Sequence, residues 1–273
     1  KNMFVFVKDA LPGELCKIKI TNVRKTFANA VIKEIIKISP NRVEPKCPYY
    51  TICGGCHIMH EEYQNQLQFK EQKVRELLEK FTGLKKAKIY PIIGKNQFHY
   101  RNKVIFHGEG KHLGFYQEKT NSLVPIEACI ITDEELNKIY HNVQEFLLSN
   151  SENTVHSIML RKTSLGQTLV ALEGNIKIED LLPYLKSIST IYINNKLVKG
   201  ESFIEEDILG IHFKIYPSSF FQVNYEMMLV LYQIVMNFYQ QKEYNKILDL
   251  YCGTGTIGML VANYVKKVIG VEI

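Results

Sequence analysis

The chain of 273 residues is 46% apolar and 23% charged, the balance of a water-soluble globular protein long enough for two domains, or three if one is small. No apolar run reaches the ~18 to 20 residues of a membrane span, and the Lys1-Asn2-Met3 start lacks a secretory signal, so a cytoplasmic monomer without a membrane partner is expected. The net charge of +6 is uneven: through Thr120 there are 22 Lys and Arg against 11 Asp and Glu, and beyond it 12 against 17, which makes the amino-terminal half either a surface for phosphate backbones or a solvated basic face.

The first forty residues read as three short strands, Phe4 to Val7, Leu15 to Val23 and Ala28 to Ile38, with turn chemistry at Leu11-Pro-Gly-Glu14. They suggest a small barrel of the oligonucleotide-binding type, incomplete at its front edge. Cys16 falls in the second strand and is expected to be buried filler. Cys47-Pro-Tyr-Tyr-Thr-Ile-Cys53-Gly-Gly-Cys56 then puts three of the six cysteines within ten residues. Six cysteines are too few for a disulfide scaffold, so these are candidates for an iron-sulfur cluster, a zinc site or a redox pair.

His60 to Phe81 has helical apolar spacing, with Gly83 placed to end it. Strands joined by tight turns follow from Phe98 to Ile131, then a helix from Asp133 to Leu148. Strands at Ser157 to Lys162 and Gln167 to Leu172, a short helix near Ile178 to Leu185, and strands at Thr190 to Asn194 and Ile208 to Tyr216 complete a mixed α+β middle region. Asn224 can cap a helix running to about Tyr239. Strand Lys246 to Tyr251, helix Thr256 to Tyr264 and strand Lys267 to Glu272 form one βαβ unit, too little to cover both faces of a parallel sheet, and the chain is therefore expected to be a fragment.

Within that unit, Asp249-Leu-Tyr-Cys-Gly253-Thr-Gly255-Thr-Ile-Gly258 is a glycine loop between strand and helix, and Glu272 lies 19 residues past Gly253. The pattern suits S-adenosylmethionine, a dinucleotide, or a turn with no ligand. Asp249 favours the first, because an acid four residues before Gly253 suits a cationic amine and sulfonium and repels a pyrophosphate. Cys252 sits inside this loop and reads as packing.

Taken in order, these motifs resemble the RNA uracil-C5 methyltransferases that carry a TRAM barrel and an iron-sulfur cluster, chiefly those acting on 23S ribosomal RNA. The residues that carry the likeness are Phe4 to Ile38, the cysteine run, Ser219-Phe-Phe-Gln-Val-Asn224 and Asp249 to Gly255. The resemblance implies a [4Fe-4S] cluster on Cys47, Cys53, Cys56 and Cys129. It implies S-adenosylmethionine on Gln222, Asp249, Tyr251, Gly253, Gly255, Thr256 and Glu272. It implies an RNA partner, ribosomal in preference to transfer RNA, with 5-methyluridine as product. Cations beside aromatic rings, Arg24 and Lys25 with Phe27, and Arg101 and Lys103 beside Tyr100, are candidate RNA contacts.

The expected architecture is an α+β chain with an α/β part. Residues 1–40 are the barrel, 41–58 with 92–218 a central iron-sulfur and RNA-binding domain, and 59–91 with 219–273 the first part of a Rossmann-like methyltransferase domain. The family's nucleophilic cysteine and basic glutamate are expected beyond Ile273, so no catalytic residue is assigned. Rival readings are a transfer-RNA methyltransferase, a noncatalytic RNA-binding iron-sulfur protein and a dinucleotide oxidoreductase.

Overall fold

A computed structural model describes residues 3–84, 87–240 and 243–273. The chain divides into two compact units, Lys1–Gly94 and Lys95–Ile273. No helix among the described residues is long and apolar enough to cross a membrane.

The first unit opens with strands β1 (Phe4–Lys8), β2 (Leu15–Val23) and β3 (Phe27–Lys37). They form one three-stranded sheet in the order β1-β3-β2, with β1 parallel and β2 antiparallel to β3. Strand limits match the sequence to within a residue, but among the described residues the sheet is open where a barrel was expected. Ala28 and Ala30 of β3 are buried while Phe4, Phe6 and Val23 face solvent. Cys16 is half-buried, not core filler, with its thiol 3.9 Å from a Glu14 carboxylate oxygen.

Glu14 ties this sheet to the segment that follows it. Its carboxylate accepts from the Leu11 amide (2.9 Å) and from the Arg42 guanidinium (2.5 and 2.9 Å), and Arg42 also donates to the Asp9 carbonyl. Beyond the cysteine run, helix α1 (Tyr63–Thr82) starts where the Glu62 carboxylate accepts from the Asn65 amide. It stops at Gly83, whose left-handed φ of 69° lets its amide reach the Glu79 carbonyl.

The second unit is built on a seven-stranded sheet of β4 (Lys103–Glu109), β5 (His112–Tyr116), β6 (Leu123–Pro125), β7 (Thr154–Lys162), β8 (Thr168–Asn175), β9 (Thr190–Ile193) and β10 (Lys196–Lys199). Its order is β10-β9-β8-β7-β4-β5-β6, antiparallel except where β8 meets β9. Helix α2 (Glu134–Ser149) covers one face. The i, i+3, i+4 spacing of Leu136, Ile139, Tyr140, Val143, Phe146 and Leu147 puts all six in the core, each burial contributing roughly 2 kcal/mol. Tyr140 packs on Phe106 with ring centroids 4.3 Å apart and planes tilted by 40°, and its hydroxyl donates to the Leu113 and Ile126 carbonyls, so the ring is buried without an orphaned oxygen. Helix α3 (Ile178–Leu181) runs directly into a 3-10 turn, Leu182–Leu185.

The expected single strand from Ile208 to Tyr216 is instead the second half of a hairpin, β11 (Ile204–Ile208) with β12 (Ile211–Ile215). Leu209 and Gly210, both at positive φ, form its two-residue turn. The polar Glu205, Glu206 and Asp207 hid β11 from a reading based on apolar runs. Helix α4 (Tyr225–Gln240) follows, capped as expected by Asn224, whose side-chain oxygen accepts from the Met227 amide at 3.0 Å. Strand β13 (Lys246–Leu250), helix α5 (Thr256–Val261) and strand β14 (Lys267–Val271) complete the unit, with β13 and β14 parallel. The predicted last helix is shorter than expected, because residues Ala262–Tyr264 tighten into a 3-10 turn. One apolar cluster, including Met159, Leu169, Phe213, Met228, Tyr232, Ile247 and Leu260, joins the second sheet face to the hairpin, α4 and the βαβ unit.

Candidate cofactor and RNA-binding sites

The glycine loop leaves the carboxyl ends of the parallel pair β13 and β14, where open α/β sheets place their ligands. Gly253 (φ 56°) and Gly255 (φ 74°) both occupy the left-handed region that glycine enters without penalty. Tyr251 occupies it too, at φ 59°, and its ring is 77% exposed. A non-glycine residue held there carries strain of order 1–3 kcal/mol. The Tyr251 side chain faces solvent at the rim of the loop.

The carboxylates bordering the loop both hold its backbone. Asp249 Oδ2 accepts from the Gly258 amide in the first turns of α5 at 3.1 Å, and Glu272 Oε2 accepts from the Gly253 amide at 2.6 Å. Gly258 lies against β14: a Cβ there would meet Val268 at 3.1 Å and Asp249 Oδ2 at 3.3 Å, so the close helix-strand approach uses the missing side chain. Thr256 is buried at the start of α5, its hydroxyl 3.0 Å from that of Thr254. Cys252 turns its thiol toward β14, where a Cβ at Gly270 would meet the sulfur at 2.9 Å, which agrees with a packing role. Asp249, Tyr251, Gly253, Gly255, Thr256 and Glu272 are thus gathered at one end of the βαβ unit.

Gln222 stands on a separate segment, exposed, two residues before the α4 cap. That segment is fixed from three sides. The Asn102 amide donates to the Val223 carbonyl at 2.8 Å, Arg101 bridges to Asn224, and the buried Arg161 donates to the Ser219 carbonyl at 3.0 Å. Burial pushes the Arg161 guanidinium down to about 10, against the opposing pull of Glu206. Arg161 and Glu206 were both missed in the sequence, because a charged side chain in a strand reads as solvent-facing until its neighbours are known.

All six cysteines are thiols and all are half-buried. Cys47, Cys53 and Cys56 lie on a wound loop of the first unit, where the Tyr50 amide donates to the Cys47 carbonyl and the Cys53 amide to the Tyr49 carbonyl. Cys129 lies in the second unit, its backbone amide and carbonyl both bonded by the Asn137 side chain of α2. The donor chemistry suits a cluster, and among the described residues no group of three or more His, Cys, Asp or Glu is placed to hold a metal ion.

Of the candidate RNA contacts, Arg24 and Lys25 are exposed on the turn joining β2 to β3, where the Arg24 amide donates to the Phe27 carbonyl. Phe27 is half-buried, edge-on to Phe6 at 5.6 Å. In the second unit, Arg101 donates through Nε to the Lys103 carbonyl at 3.0 Å. Lys103 is half-buried opposite Arg161, and its ammonium is pushed down first by burial and then by the Arg161 charge. These two are parts of the scaffold as much as surface cations.

A family model described as tRNA (uracil-5-)-methyltransferase matches residues 62–273. An uncharacterized RNA methyltransferase of Clostridium acetobutylicum is 34% identical across 100% of this chain and 67% of its own length. Another from Halalkalibacterium halodurans is 32% identical across 98% of this chain and 67% of its own length. The chain therefore spans about two thirds of the relatives it matches. The fold is similar to that of the Pyrococcus abyssi tRNA (uracil-54, C5)-methyltransferase solved with S-adenosyl-L-homocysteine, at a TM-score of 0.73 and 23% identity over 94% of this chain and 66% of that one. The family model covers more than half of the chain, and the relatives match nearly all of it: the chain belongs to the tRNA (uracil-5-)-methyltransferase family.

Proposed function

We propose that this protein is part of an enzyme that transfers the methyl group of S-adenosylmethionine to C5 of a uridine in RNA. The observation that carries the reading is the loop at the ends of β13 and β14, bordered by Asp249 and Glu272, both bonded to its backbone amides. Asp249 there opposes a pyrophosphate and suits a sulfonium and an ammonium, while Glu272 suits a ribose diol. In this reading Glu272 exchanges the Gly253 amide for the ribose hydroxyls, Tyr251 and Thr256 flank the cofactor, and Gln222 meets its methionine end. In the complete enzyme a cysteine thiolate adds to C6 of uracil, C5 takes the methyl group, and a carboxylate removes the C5 proton before the thiolate leaves. Neither group is assigned to a residue of this chain, and the 273 residues alone are expected to transfer no labelled methyl group to RNA.

The cysteine run favours ribosomal RNA as substrate. The description of the family model and the archaeal neighbour, a tRNA methyltransferase, favour transfer RNA as the second reading. The amino-terminal strands, an open three-stranded sheet among the described residues, are read as part of a TRAM-type domain, with 41–58 and 92–218 as the central domain and 59–91 and 219–273 as the methyltransferase part. Cys47, Cys53, Cys56 and Cys129 are offered as cluster ligands on donor chemistry alone. Iron and acid-labile sulfide in anaerobically purified protein support that assignment, and stoichiometric zinc without sulfide removes it. The cofactor reading is tested by melting: S-adenosylmethionine should raise the melting temperature and a nicotinamide dinucleotide should not, and the reverse result would replace the methyltransferase reading with an oxidoreductase.

A further inference from the structure

The second unit leaves part of its sheet uncovered. Strand β4 packs Val104 and Phe106 into the core beneath α2, so Lys103, Ile105 and His107 alternate to the opposite face. His107 pairs with Gly114 of β5, and Tyr116, two residues on, shares that face. The His107 and Tyr116 rings lie stacked, centroids 4.1 Å apart and planes 17° from parallel. Gly114 puts no side chain over this surface, and a Cβ there would meet the Val124 carbonyl oxygen at 2.0 Å. Ile105 is 46% and Tyr116 37% exposed. The hairpin β11–β12 and α4 pack over Met159 and Leu169 farther along the same sheet, leaving the β4–β5 end open.

We propose that the face formed by Ile105, His107 and Tyr116 is a stacking platform for an unpaired base of the RNA, with Lys103 and Arg101 at its end placed for the adjoining phosphates. The proposal rests on the reading of the protein as an RNA methyltransferase. A preformed pair of stacked rings on an antiparallel sheet offers the outer face of Tyr116 to any base without reading its edge. Charge agrees: Lys103 stands opposite Arg161, and an incoming phosphate offsets the repulsion between these two half-buried and buried cations. Glu173 hydrogen-bonds Ser157, the residue opposite His107, at 3.2 Å, which sets an acidic margin on the side away from Lys103. The polarity across the platform orients a bound nucleotide, phosphates toward Lys103 and base over Tyr116.

The test is fluorescence anisotropy of a short single-stranded oligouridylate with the full 273-residue chain. Tyr116→Ala should weaken binding about tenfold, the loss of roughly one base stack. Tyr116→Phe should bind as wild type, and a duplex of equal length should compete poorly. Photo-crosslinking of a thiouridine-substituted strand to the wild-type chain should label the peptide holding Tyr116, a readout independent of any variant's folding. Wild-type affinity retained by Tyr116→Ala, label confined to other peptides, or an oligouridylate that the wild-type chain ignores would each overturn the platform, the last leaving the face to a protein partner. Titration of the same samples with S-adenosylmethionine separates the two readings: cofactor binding without RNA binding removes the platform alone.

Discussion

Gly258 shows how a single missing side chain sets the geometry of the cofactor loop. Its position against Val268 and Asp249 Oδ2 means that a methyl group there needs those two side chains to give by a few tenths of an ångström, and Asp249 is held by the Gly258 amide itself. Gly258→Ala is expected to weaken the second unit by no more than about 1 kcal/mol, because the crowding against Val268 and Asp249 is offset by the better helix propensity of alanine in α5, read as a slightly lower urea midpoint. Part of this loop was legible in the sequence because glycines and acids at fixed offsets report backbone geometry directly. The mutual bonding was not legible: nothing in the spacing told that Asp249 would bind the Gly258 amide or Glu272 the Gly253 amide. The conformation of Tyr251 was hidden for the same reason, since a positive φ leaves no mark in residue type when the residue is not glycine.

At the scale of elements, two small polar devices fix where strands and helices meet. Asp133 caps α2 by accepting from the Glu135 amide at 2.8 Å and also receives the Lys162 ammonium at 3.2 Å, joining the helix to β7. Asp133→Ala should cost about 1–2 kcal/mol, seen as a lower denaturation midpoint with an unchanged slope. In the first unit, the Glu14 carboxyl is held at about 2 by its hydrogen bond to Arg42, with the Leu11 and Ser39 amides adding to that pull and desolvation opposing it. A carboxylate depressed on folding stabilises fully above its ordinary range and loses that contribution as the pH falls toward its folded value. The first unit should therefore weaken between about pH 4.5 and pH 2. Glu14→Gln should flatten that dependence and cost about 2 kcal/mol at neutral pH, both measured by urea unfolding across the range. The elements with strong periodicity, such as α2 and α4, were readable to within a residue or two. The β11 strand and the buried Arg161 were not, because burial there depends on partners distant in sequence.

At the scale of the whole molecule, the motifs taken together pointed to the family, and the family match over residues 62–273 supports the part of that reading that rests on the segment before Asn224 and the glycine loop. The amino-terminal sheet marks the limit of such reading. Short apolar runs and turn residues located β1, β2 and β3, but closure into a barrel depends on further pairing that residue pattern does not encode. The cysteines show a related limit: donor type follows from the sequence, while convergence is a property of tertiary arrangement. The central claim, S-adenosylmethionine bound at the glycine loop, is tested most directly by isothermal titration of the cofactor into the 273-residue chain and into Glu272→Ala. The account predicts one binding site whose affinity falls about tenfold in the variant, the loss of one charge-assisted hydrogen-bonding group. No binding heat with the wild-type chain, or equal affinity for both proteins, would contradict it.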